Sequence, residues 1–113
     1  MSYQMPVANP YLKQISNYQE NEVLSASPEK LILILYDQAI LGCKRQDAEK
    51  ASRAVAELIN SLNFKYEEIS TGLFRLYDYI LREIKMQKYK DALYLLTDLR
   101  QTWDVAIQQL QAA

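Results

Sequence analysis

Three kinds of side chain in this sequence could take part in chemistry. They are the thiol of Cys43, the adjacent carboxylates Glu67-Glu68, and the aspartates that close two Leu-Tyr-Asp tracts, at Leu35-Tyr36-Asp37 and Leu76-Tyr77-Asp78. None is arranged for catalysis. A reactive thiol needs a base or a cation to hold the thiolate, and the chain has no histidine. Cys43 instead falls on an apolar stripe and reads as a small buried hydrophobe. On a helix, Glu67 and Glu68 point about 100° apart and do not converge; they suit a helix N-terminus. A bundle dimetal site needs Glu-x-x-His, so neither a metal nor a cofactor is expected. Asp37 and Asp78 each follow a stripe tyrosine, which turns them to the surface as solvated or cap-bonding carboxylates. No glycine-rich phosphate loop exists. What remains is recognition. Nine tyrosines supply apolar rings whose hydroxyls can still reach a polar partner, and the chain reads as a binding protein rather than an enzyme.

The length of 113 residues suits one domain. Thirteen basic and fourteen acidic residues give a net charge of -1, which argues against nucleic acid, since counterion displacement needs a basic face. Cys43 is the single cysteine, so no intrachain disulfide can form and a reducing compartment is the simple reading. The first ten residues lack a basic signal-peptide region. The longest apolar run, Leu31 to Tyr36, is far too short to span a bilayer. A soluble, cytosolic protein without membrane insertion is expected.

These side chains must be positioned by helices. From Glu29 onward there is no proline and the apolar period is helical throughout. Ser27-Pro28-Glu29 combines an N-cap, a proline pre-set for the first helical position and an acid for the positive end of the dipole. It predicts a first helix from Pro28 to about Lys44–Gln46, with Ile32, Leu35, Tyr36, Ala39, Ile40 and Cys43 in line and Gly42 weakening the last turn. Asp47 can cap a second helix that ends near Asn63, striped by Ala48, Ala51, Val55, Leu58, Ile59 and Leu62. The third runs from about Glu67 to Met86 with Ile69, Leu73, Leu76, Tyr77, Ile80 and Ile84 in line. The fourth runs from about Lys90 to Leu110 on Ala92, Leu96, Leu99, Trp103, Ala106 and Leu110. Four one-striped helices with short connections predict an all-α, antiparallel four-helix bundle over residues 27–113. Residues 1–26 are expected to form an N-terminal strap or a short extra helix, polar but studded with Tyr11, Ile15 and Tyr18 at helical spacing.

The stripes leave apolar residues on otherwise polar faces: Ile34 and Leu41, Phe74 and Leu81, Tyr79 and Met86, each pair seven apart, then Tyr94 and Val105. Aligned pairs suggest grooves for an amphipathic helix. A wider core stripe or a homodimer seam would give the same pattern. The candidate partner-binding set is Tyr11, Ile15, Tyr18, Ile34, Leu41, Phe74, Leu81, Tyr94 and Val105.

Asn9-Pro10-Tyr11, Tyr18, the run from Val23-Leu24-Ser25-Ala26-Ser27-Pro28-Glu29 to Leu35-Tyr36-Asp37, Phe74-Arg75-Leu76-Tyr77-Asp78-Tyr79 and Leu99-Arg100-Gln101-Thr102-Trp103 resemble, in this order, the flagellar secretion chaperones of the FliS family. The resemblance implies a cytosolic helical-bundle chaperone that binds the disordered C-terminal segment of flagellin, prevents its premature polymerisation and delivers it to the flagellar export gate. It also implies that a tyrosine-bearing strap, here Tyr11 and Tyr18, covers part of that site. The stretch from Asp37 to Leu76 is shorter than the family pattern by roughly two heptads. Loss of about one heptad from each of the first two helices would keep both stripes in register.

Overall fold

The computed structural model describes residues 26–112, and the capping signals act where the sequence places them. Ser27 is the N-cap of α1 (Pro28–Lys44): its Oγ accepts from the Lys30 N–H at 3.2 Å, with Pro28 in the first turn. Asp47 caps α2 (Ala48–Asn60), its Oδ1 accepting from the Lys50 N–H at 3.1 Å. Helix α3 (Glu67–Lys85) carries Glu67 and Glu68 in its first turn and Arg82 and Lys85 in its last, each sign matched to its end of the dipole. Helix α4 spans Tyr89–Ala112. Helix α2 stops before the expected Asn63. The Ser61 hydroxyl donates to the Leu58 carbonyl at 2.7 Å, and the Asn63 side chain accepts from Lys65 N–H at 3.0 Å in a turn of its own.

The described residues make a four-helix antiparallel bundle in which α1 packs on α2 and α4, and α3 packs on the same two helices. Tyr36, Tyr77, Val55, Leu58, Ile80, Ile84 and Leu96 fill its centre. Gly42 also has a packing role. A Cβ there would lie 2.6 Å from the backbone nitrogen of Ala51 and 2.9 Å from its Cα, so the missing side chain is what lets α1 and α2 approach.

The two hairpins, α1–α2 and α3–α4, repeat one another at a spacing of 41 residues. Leu35-Tyr36-Asp37 falls on Leu76-Tyr77-Asp78, Lys44 on Lys85, Gln46 on Gln87, Ala51 on Ala92 and Leu58 on Leu99. The fully buried pairs Ala39/Ile80 and Val55/Leu96 obey the same shift. So do the turns. Gln46 and Gln87 hold φ of 56° and 61°. Asp47 and Lys88 N–H each donate 2.8 Å back to Gly42 and Glu83 carbonyls, and Gln46 and Gln87 N–H to those of Cys43 and Ile84 at 3.1 and 2.9 Å. This is the Schellman closure, built twice on glutamine instead of glycine.

The repeat is broken at several positions, and three differences bear on the packing. Gly42 corresponds to Glu83, a buried carboxylate whose Oε1 has no partner. Leu62 corresponds to Trp103. Helix α2 has 13 residues, whereas α4 has 24 and outruns it. The last difference corrects three expected core positions: Ile69, Ala106 and Leu110 are exposed. They lie at the end of the bundle beyond the last residue of α2, where their stripes are only partly covered.

Candidate functional site

The groups singled out for possible chemistry are held in the packing or in ion pairs. Burial pushes the Cys43 thiol up to about 11, so at neutral pH it is protonated and shielded. Asp37 is neither merely solvated nor a cap. The Arg100 fork grips it across the α1/α4 seam, Nε donating to Oδ1 at 2.9 Å and Nη2 to Oδ2 at 3.1 Å. That hydrogen bond is the main reason the guanidinium pKa is raised. Asp104 stands 3.7 Å from Nη1 of the same group. Asp78 pairs within its own helix, with Arg82 at 2.7 Å. Among the described residues, no three of Cys, Asp and Glu gather to hold a metal ion. None of the described helices is long and apolar enough to cross a membrane.

What the bundle offers is a set of hollows and uncovered rings. One hollow, about 530 Å³, runs between the start of α1 and the end of α4. Leu33, Ile34 and Ile107 line it beneath the Asp37–Arg100 pair. Gln38 also lines it; this side chain is buried and its Oε1 lacks a partner. A shallower hollow of about 360 Å³ lies on the outer face of α4 beside Val105 and Ala106. A smaller one, about 170 Å³, opens at the bundle end between Ile32, Leu62, Leu73 and Trp103.

The candidate residues divide. Phe74, Val105 and Tyr94 stand 42%, 45% and 73% exposed, as bare apolar groups on the outer faces of α3 and α4. Tyr79 and Met86 are exposed on α3 and its C-cap. Leu41 is half-buried. Ile34 is not a surface ridge: it is only 8% exposed. Helix α4 runs alongside the start of α1 as far as Ile107, and a wheel drawn for one helix cannot show that. Leu81 likewise packs partly buried against the core. The strap and its Tyr11, Ile15 and Tyr18 lie outside the described residues. Gln38 and Arg100 were not singled out by sequence. Each is a polar residue on a helix flank, and only the neighbouring helix gives it a place.

The family model described as "Flagellar protein FliS" matches residues 11–110. Among curated proteins, the flagellar secretion chaperone FliS of Bacillus subtilis (strain 168) is 31% identical over 125 residues, which take in 92% of this chain and 90% of that protein. The aligned stretch is longer than this chain, so it contains residues of the relative that have no counterpart here. No solved structure gives a significant match.

Proposed function

The chain belongs to the FliS family of flagellar proteins, a family of export chaperones, and from that premise we propose that its client is the disordered C-terminal segment of flagellin. In this reading the chaperone works in the cytosol without catalysis. It covers the apolar face of the client segment, so preventing premature polymerisation, and carries the client to the export gate. The observation that supports it most directly is the set of bare apolar side chains, Phe74, Tyr94 and Val105, that stand outside the core cluster. Isolated exposed apolar residues are ordinary, but several on the outer faces of two adjacent helices, with a hollow beside Val105, suit the ridge of an amphipathic partner helix. Ordering a disordered client offsets part of the interaction energy, which suits a complex that must later release. Tyr11 and Tyr18 of the strap would compete for the same faces in the free protein.

The test uses the purified full chain and a synthetic C-terminal flagellin segment, with affinity read by calorimetry. Phe74→Asp and Tyr94→Asp should each weaken binding about tenfold or more while melting cooperatively near the wild-type temperature. Wild-type affinity in both variants would remove these faces from the site. If instead the wild-type chain sediments as a dimer that persists when the segment is added, the same faces are a seam between copies.

A further inference from the structure

We infer that the hollow at the open end of the bundle is a socket for one large apolar side chain projecting from the client segment. This rests on the client reading above and names the contact that anchors it.

The internal repeat says what the socket lacks. The hollow is lined by both members of the pairs Ile32/Leu73 and Leu62/Trp103, so it sits where the two hairpins meet. Its other walls are Ser61, Asn63, Tyr66, Ile69, Ser70 and Tyr77, and the two equivalent walls Leu62 and Trp103 differ in size. In the second hairpin the indole of Trp103 occupies the equivalent position; in the first, a leucine leaves part of that volume empty. The shape that completes the packing is therefore a bulky ring or branched chain entering beside Leu62, as Trp103 does on its own side.

The walls also say that the occupant is apolar. The Ser70 hydroxyl donates to the Asn63 carbonyl at 2.6 Å, and that of Ser61 donates to Leu58 at 2.7 Å. The Tyr77 hydroxyl is engaged with Tyr36. Both serine hydroxyl protons are thus already donated, and much of the remaining wall is the apolar surface of Ile32, Leu62, Leu73 and Trp103, so a polar occupant would lose water for little return, whereas an apolar one fills a void that leaves its lining short of contacts. Tyr66 and Ile69, each 67% exposed, stand at the mouth with Phe64 beside them in sequence. They can close over an inserted side chain and exclude water, as the rim of a binding hot spot does.

The experiment uses the full chain and two probes. The first is 4-fluorotoluene, a free mimic of an aromatic side chain, followed by fluorine NMR and by emission of Trp103, the single tryptophan. It should bind the wild type and shift both signals, and Leu62→Trp should abolish the response by filling the hollow. The second is the C-terminal flagellin segment, whose affinity should fall at least tenfold in Leu62→Trp and in Ile69→Glu. Ile69→Glu changes an exposed position and keeps the test sound should the larger substitution not fold. No fluorotoluene response in the wild type, or unchanged segment affinity in Ile69→Glu, overturns the socket. A segment that fails to bind the wild-type chain overturns the client reading itself, and the fluorotoluene response then reports on the hollow alone.

Discussion

The hydroxyls of Tyr36 and Tyr77, equivalent residues of the repeated hairpins, meet at 2.6 Å in the centre of the bundle. Their rings stand edge to face, with centroids 6.3 Å apart and planes at 61°. The repeat places them symmetrically, so each hydroxyl finds its own counterpart. Two helices with no side-by-side seam, α1 and α3, are thereby tied across the core.

Removing either hydroxyl strands the other from its tyrosine partner. Tyr36→Phe and Tyr77→Phe should each cost about 1–2 kcal/mol, because a buried hydroxyl loses its partner. The double variant should cost clearly less than the sum, since the second change removes a group already stranded. Urea denaturation of the three variants measures this, and strict additivity would show that the two hydroxyls do not depend on one another.

Alkali should unfold the protein. Burial raises the Cys43 thiol from its ordinary 9.0 to about 11, and raises both core tyrosines above their ordinary 10.0. A folded state that holds its protons more tightly than the unfolded chain is favoured fully below the unfolded pKa, and loses that advantage as pH rises through the folded one. The contribution of these groups is therefore intact at pH 7–9 and declines above it. Melting temperature against pH should show the fall, and Cys43→Ala should remove the part that begins near 9. Stability that rises with pH above 9 would contradict the assignment.

The glycines should respond in opposite senses to alanine. At Gly42 a Cβ collides with the Ala51 backbone; neither helix can yield without moving the other, and a loss of about 1–3 kcal/mol is expected for such overpacking. At Gly72 a Cβ meets nothing within 4 Å, and alanine should gain about 0.5–1 kcal/mol from helix propensity alone. Thermal melts of the two single variants give both signs in one experiment.

The glutamine turns offer a matched pair. Gln46 and Gln87 hold a left-handed conformation that costs an L-residue about 1–2 kcal/mol. Glycine recovers that strain less its own loss of chain entropy, for a net gain of about 0.5–1 kcal/mol. Because the two closures share their hydrogen bonds, Gln46→Gly and Gln87→Gly should stabilise equally and additively, as read from chemical denaturation.

The helix starts were legible because their causes are local. Ser27-Pro28-Glu29 and Asp47 act over three or four residues, and the structure uses both as caps. Burial was less legible, because it depends on where a neighbouring helix stops. Ile34 is buried beside the long end of α4, whereas Ile69, Ala106 and Leu110 are bare beyond the short α2. The candidate site divides in the same way. Phe74, Tyr94 and Val105 project from faces that no other helix of the bundle reaches, and a wheel finds them. Arg100 and Gln38 acquire their positions only from the α1/α4 seam. The twice-written Leu-Tyr-Asp was visible in the chain, but only the meeting of its tyrosines shows that it marks a shared centre.

Ser27 and Gln111 line one hollow, so the chain enters and leaves the bundle at the same end, where the Ser61–Tyr66 connection also crosses. The order in which the two hairpins are strung is therefore immaterial to their packing. A circularly permuted chain, with residue 112 linked to residue 26 and new ends opened at Phe64, contains the same four helices with the same neighbours. Permutation is tolerated at exposed connections of this kind, and in this topology it would turn a chain that begins with the close α1–α2 pair into one that begins with α3–α4.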